Sequence, residues 1–332
     1  MAPTWRLLAG DCRQVLPALP ADCMASIVTD PPYEIALRDL AWDRSGVAFD
    51  PETWRQAWRV LRPGGYLAAF AAPRRAHRVT CAIEDAGFLI EGDLLLLRSL
   101  AWVYARSWPK TRQALKPTHE TILLAQKPLD GSLADNLARW GTGVLQIEAS
   151  RLPAVSRPAM QRTARQAHSA SLESAGSGSR ETGARTSLGR WPSDTLLLHQ
   201  PACVEDGACA PDCVVADLDC QGGPVRAGRG VQGASDFFPS FRFSGKASPS
   251  EKQQGCLAIP NDLPAVKPVA LVRWLVRLLT PPGGHVLDMF TGSASVGVAA
   301  LAAGHPFTGI EQDPHAFLIA AARLQDAQQR FA

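Results

Sequence analysis

No stretch of the chain approaches twenty unbroken apolar residues, which excludes an ordinary membrane-spanning helix. The opening MAPTWRLLAGDCRQ lacks the charged, apolar and small-residue zones of a secretory signal, so the expected location is cytoplasmic, with no membrane partner. Cysteine is too sparse to staple a fold: eight in 332 residues do not make a disulfide scaffold, and a cytoplasmic setting keeps thiols reduced. Cys12, Cys23, Cys81 and Cys256 read as small core residues. Charge of one sign is also short, since a net +3 suits any soluble enzyme and does not by itself indicate nucleic acid.

What is present is 46% apolar residues, enough for one large core in a chain between one-domain and two-domain size. From Trp5 to about Lys127, β-like runs alternate with helical stretches. LLAG and ASIVTD read as buried strands, TWRQAWRVLRPGG as a helix stopped at Gly64 and Gly65, and YLAAFAA as the next strand. A helix over Arg75–Ala86, a strand in FLIEGDLLLL and another in HETILLAQ follow. This alternation predicts an α/β fold, a doubly wound, mostly parallel Rossmann-like sheet.

The pattern fails from about Pro128 to Ile259, where Gly, Ser, Pro and Arg dominate and only islands such as WPSDTLLLHQ look packable. Between Arg151 and Asp194, seven arginines face three acids, which suits phosphate contact. Residues 165–190 read as mobile without a partner. Order returns with VALVRWLVRLL as helix, HVLDMF as strand, TGSASVGVAALAAG as turn and helix, and HPFTGIEQD as strand. The simplest arrangement builds one sheet from residues 1–128 and 260–332, with 129–259 inserted as a separate loop-rich module.

The segment from His285 to Asp313 places Asp288 and Glu311 at the carboxyl ends of neighbouring strands, where open α/β sheets bind ligands. Gly292 lets the backbone pass close to a ligand. Glu311 follows it by nineteen residues, near the spacing of about 20 for an acid that holds a ribose diol. The three-glycine dinucleotide fingerprint is missing, which favours a nucleoside cofactor with no pyrophosphate over a dinucleotide. A glycine turn that only packs helix on strand is the plain alternative.

Asp30-Pro31-Pro32-Tyr33 directly follows the buried strand ASIVT, so it belongs to the same sheet edge. Its prolines stiffen the turn, which can aim the Asp30 carboxylate and the Pro31 carbonyl at one amino group, both as acceptors. A structural Asp-Pro turn is the competing explanation.

The order DPPY, PGGYLAAF, LKPTHETILLAQKP, a variable basic stretch, VKP, TPPGGHVLDMFTGSAS and GIEQD resembles the β-class amino methyltransferases of DNA, over about two thirds of the chain. The resemblance implies transfer of a methyl group from S-adenosylmethionine to the exocyclic amine of a flipped-out base in double-stranded DNA. DPPY favours adenine N6 over cytosine N4. The insert takes the place of the target recognition region, and a homodimer and a restriction partner are left open. Asp30, Pro31 and Pro32 would hold the amine while Tyr33 stacks on the base. Asp11 with its neighbour Cys12, Lys267, Asp288, Phe290, Gly292, Ser293 and Glu311 would hold the cofactor. Ala294 and Met289 stand where the family usually has glycine and proline. The segment from Glu34 to Phe49, with Arg38, Trp42 and Arg44, is placed to close over the base or to form a surface loop.

His199, Cys203, Cys209, Cys213 and Cys220 lie within twenty-two residues, and four of them, His199, Cys203, Cys209 and Cys213 above all, could close a structural zinc site. The spacing lacks paired CxxC knuckles, so unligated loop thiols remain the alternative. Other functional readings are a transferase acting on RNA or a protein amide, a catalytically silent DNA-binding module of the same fold, and a dinucleotide oxidoreductase.

Overall fold

Met24–Thr29, all six residues buried, forms the strand on which the rest is arranged (β2). A strand buried on both faces needs a layer on each side, and its alternating side chains supply both: Ile27 enters one apolar cluster and Val28 the other. The computed structural model describes residues 4–37, 40–88, 98–103, 119–152, 191–199, 203, 209–210, 213–222, 225–227, 230–232, 235, 238–241 and 247–331. Among these, the chain runs β1 (Trp5–Ala9), α1 (Cys12–Val15), β2, α2 (Pro51–Val60), β3 (Leu61–Ala71), α3 (Ala76–Asp85), β4 (Arg98–Val103), β5 (His119–Gln126) and α4 (Leu133–Trp140). It continues with β6 (Thr195–Leu198), α5 (Val214–Gly222), β7 (Val225–Ala227), β8 (Gly230–Gln232), β9 (Ser240–Phe241), α6 (Pro249–Gln253), α7 (Val269–Leu279), β10 (Val286–Asp288), α8 (Ser295–Ala302), β11 (Phe307–Glu311) and α9 (Pro314–Phe331).

The main sheet has the order β1-β11-β10-β2-β3-β5-β4-β6-β9, and β7 and β8 form a separate pair. Within the main sheet, among the described residues, β5 alone runs against its neighbours, β3 and β4. The mostly parallel sheet built from both chain ends is therefore as expected: β10 and β11, from beyond residue 280, lie between β1 and β2. Helices α7, α8 and α9 pack on one face, and α1, α2 and α3 on the other.

Two local expectations change. Helix α2 starts as its sequence dictates, with Asp50 accepting from Glu52 N at 3.0 Å and Pro51 at the first turn, but it ends at Val60, four residues before Gly64. Leu61 is fully buried beside β2, and Lys127 Nζ donates to the carbonyls of Trp58 and Leu61, closing the helix end. The RPGG residues instead form an irregularity in β3, whose register to β2 jumps between Met24↔Leu61 and Ser26↔Tyr66. A Cβ on Gly65 would lie 2.9 Å from the Ala25 carbonyl, so the crossing is close enough to require glycine.

The strand expected in FLIEGDLLLL falls almost wholly (89–97) outside the described residues, and β4 is described from Arg98, the next residue in the chain.

The second concerns the stretch from 129 to 259, whose described parts are joined to the main sheet. Strands β6 and β9 extend the main sheet, Leu196 and Leu198 sit in its core, and Asn136 of α4 donates to the carbonyl of Pro63 in β3 at 3.1 Å. Residues 165–190, read as mobile, lie outside the described residues. No described helix is long and apolar enough to cross a membrane.

Candidate active site

Parallel strands end on one edge, and here that edge collects acids. Glu311 pairs with Ala9 of β1 and Gly309 with Asp288, so Asp11, Glu311, Asp288 and Asp30 stand in sequence over the ends of β1, β11, β10 and β2. Three strand spacings make this row about 14 Å long. The DPPY turn and the Gly292 turn meet within it: Thr29 Oγ1 donates to Asp288 Oδ1 at 2.7 Å, and Phe290 N donates to the same oxygen at 3.1 Å. Asp288 is buried, and burial pushes its carboxyl up to about 7, with Asp30 and Glu311 adding repulsion against the hydrogen bonds from Thr29 and Phe290.

At the Asp30 end, Lys267 Nζ donates to Asp30 Oδ2 at 2.6 Å and to Tyr33 Oη at 3.1 Å, and lies 3.8 Å from Glu120. Tyr33 Oη in turn donates to Glu120 Oε2 at 2.7 Å. Burial alone would pull Lys267 down, but Asp30 and Glu120 outweigh it and hold the ammonium above the usual lysine range. The other Asp30 oxygen, Oδ1, is buried and has no hydrogen-bond partner among the described residues. A buried carboxylate oxygen without a donor is costly, at about 1–3 kcal/mol or more, and such groups gather where a ligand supplies the missing proton.

At the other end, Gly292 adopts φ +51° and a Cβ there would meet nothing within 4 Å, so the turn is open on that side. Its N–H donates to Glu311 Oε2 at 2.6 Å, and Asp313 N donates to Oε1 at 2.8 Å, while burial pushes the Glu311 carboxyl up. Ala294 is left-handed as well, at φ +59°, and is fully buried at the start of α8. Asp11 caps α1 by accepting from Arg13 N at 2.9 Å, and hydrogen bonds from Arg13 hold its carboxyl below the usual range.

The structure brings Asp30, Tyr33, Lys267, Asp288, Gly292 and Glu311 to one edge. Two others sit differently. The Cys12 side chain is buried in the core, where burial pushes its thiol up to about 12, so only its backbone faces the edge beside Asp11. The Ser293 hydroxyl and carbonyl both accept from Arg323 Nη1, at 3.0 and 2.5 Å, which makes Ser293 part of the turn's support.

Sequence reasoning missed Glu120, Thr29, Arg323 and Asp43. The buried Asp43 carboxylate accepts from the N–H groups of Glu34, Ile35 and Leu37 at 2.9, 3.1 and 2.7 Å, which ties down the loop after Tyr33 even though Glu34 and Ala36 are left-handed. That loop borders an open cleft of about 630 Å³ with Arg44, Arg74 and Arg75 on its wall. Arg38 lies outside the described residues.

The chain matches, over residues 24–322, a family model described as DNA methylase, of the N6 and N4 type. It is 34% identical over 113 residues to the type II methyltransferase M.HindIII of Haemophilus influenzae, covering 28% of this chain and 36% of that protein. It is 44% identical over 54 residues to the type II methyltransferase M.BglI of Bacillus subtilis, covering 16% of each. The chain spans less than half the length of the curated relatives it matches. In fold it is similar to the PvuII DNA methyltransferase, which is cytosine-N4-specific, at a TM-score of 0.54, 14% identity and coverage of 99% of this chain and 95% of that one.

Proposed function

The chain belongs to the N6/N4 family of DNA methylases, and from that premise we propose that it methylates the exocyclic amine of adenine at a specific site in double-stranded DNA, with S-adenosylmethionine as donor. The observation that carries the proposal is the divided role of Asp30: Oδ2 is fixed by Lys267 and Oδ1 is buried without a donor among the described residues.

The edge suits that cofactor. A row of four acids repels a pyrophosphate but favours a sulfonium cation, and the open turn at Gly292 lies between Asp30 and the Glu311 carboxylate that would hold a ribose. When bound, S-adenosylmethionine supplies an electrophilic methyl group that needs no metal to activate it.

Asp30 and the Pro31 carbonyl act on the amine. An aromatic amine is a poor nucleophile because its lone pair is delocalised into the ring. Two acceptors placed off the base plane draw its hydrogens out and localise that pair, and Asp30 Oδ1 accepts the proton the nitrogen sheds on forming its new N–C bond. Lys267 keeps Asp30 an acceptor by holding its other oxygen, and positioning supplies much of the remaining acceleration. The target base rotates out of the duplex at a cost of a few kcal/mol, of which stacking on Tyr33 returns about 1–3. Residues 129–259 are proposed as the target recognition region.

Single-molecule sequencing of DNA from a host expressing the protein tests this. N6-methyladenine in one sequence context is expected, lost in Asp30→Ala while cofactor binding stays within a few-fold. N4-methylcytosine instead would overturn the adenine assignment, and full methylation in Asp30→Ala would overturn the mechanism.

A further inference from the structure

We infer that His199, Cys203, Cys209 and Cys213 bind one structural zinc ion at the junction between β6 and α5. Their ligand atoms all lie within 4.8 Å of one another. Cys209 Sγ and Cys213 Sγ lie 3.5 and 3.7 Å from His199 Nδ1. With Zn–S near 2.3 Å and Zn–N near 2.0–2.1 Å, a tetrahedral ion sets its ligand atoms about 3.5–3.8 Å apart, so two edges of the tetrahedron already stand at bonding length. Cys220, the fifth residue of the sequence cluster, is exposed on α5 and outside the group.

The donor set selects the metal. Three thiolates and one imidazole suit zinc, and carboxylate-preferring magnesium or calcium would not choose them. Four protein donors also close the coordination sphere, leaving no position for a reacting water, so the ion is structural.

Its place in the fold gives it work. Strand β6 is parallel to β4, which runs with β2, so His199 leaves the sheet on the same edge as Asp30. Four strand spacings put it about 19 Å along that edge, outside the catalytic group. Among the described residues the local apolar cluster is thin, with Leu197, Cys213 and Val215 as its buried members. A metal linking the end of β6 to the first residue before α5 supplies the order that this packing lacks. It would thereby fix part of the proposed recognition region relative to the sheet, although zinc binding does not depend on that proposal.

The test is metal analysis of the full chain, purified without chelator and without a histidine tag. About one zinc per chain is expected, falling to near zero in Cys203→Ser and in Cys209→Ser and unchanged in Cys220→Ser. Cobalt exchanged into the unmutated protein should show thiolate-to-cobalt charge transfer with tetrahedral visible bands, a readout that survives even if a variant misfolds. Protein that holds less than a tenth of an equivalent after zinc reconstitution, or loses its zinc only in Cys220→Ser, would overturn the assignment.

Discussion

Lys267 Nζ sits 2.6 Å from Asp30 Oδ2 although 237 residues separate them in the chain. Both side chains are largely buried, and Glu120 is close enough to share the cation. The contact joins the Asp30–Tyr33 turn to the entrance of α7, so the two chain ends are held together at the point where the chemistry is proposed.

Lys267→Met should therefore cost stability as well as activity. It leaves Asp30 and Glu120 near each other with no cation, and breaking a buried pair typically costs about 3–5 kcal/mol. The intact lysine is held above its usual range, so it contributes this stability at every pH below that range and loses it only as pH rises through it. Urea unfolding should therefore show the deficit at pH 6 and at pH 8 alike. A variant as stable as the unmutated protein would remove the electrostatic explanation.

Asp288 makes a pH-dependent prediction. Its folded carboxyl is near 7 against 3.8 when free, so between those values the folded protein holds a proton that the unfolded chain has released. Its contribution to stability is thus present at low pH and declines as pH rises through that window, by up to roughly 4 kcal/mol. Asp288→Asn keeps an acceptor for Thr29 and Phe290 but cannot titrate. The stability difference between the two proteins, followed from pH 4 to pH 8, should move in favour of the asparagine protein as pH rises.

Ala294 stands where the resembled family usually has glycine, in a backbone conformation that costs an L-residue about 1–2 kcal/mol. Glycine would remove that strain, but it frees the unfolded chain by about 0.4–1 kcal/mol and gives up a buried methyl worth about 0.8. The terms nearly cancel, so Ala294→Gly should shift the melting temperature by only a few degrees. Ala294→Val, β-branched in the same conformation and with no free volume around it, should lower it strongly. Large stabilisation by glycine would show that the methyl contributes little.

Tyr33 has a ring and a hydroxyl with separate tasks. Tyr33→Phe removes the donor to Glu120 and the acceptor for Lys267, a loss of about 1–2 kcal/mol, while keeping the stacking surface. Steady-state methylation should fall less than tenfold in kcat with KM for DNA nearly unchanged. Tyr33→Ala should lose far more of both, and equal losses in the two variants would mean that the ring does not carry the base.

Glu120 shows why part of the site was hidden in the sequence. It opens the strand HETILLAQ, and in a parallel strand its position would have been the edge far from Asp30. Strand β5 runs against its neighbours, which turns its first residues towards the carboxyl edge and delivers Glu120 to Tyr33. Arg323 was hidden for a related reason. It looks like one polar position on a terminal helix, and only packing of α9 behind the Gly292 turn buries it against Ser293. The end of α2 was misplaced because glycines mark a break in the chain, whereas burial of Leu61 and the reach of Lys127 decide where the helix stops.

By itself the sequence determined what is local: which runs are apolar enough to be buried strands, where prolines stiffen the turn after β2, and where a glycine leaves a turn open. Hydrophobic period and backbone preference act between neighbours, so they survive without the fold. The tertiary structure alone decided the ion pair across 237 residues, the reversal of β5, the joining of β6 and β9 to the main sheet and the gathering of one histidine with three of four nearby cysteines. Those depend on strand order and direction, which the whole core sets when it closes and no short segment encodes.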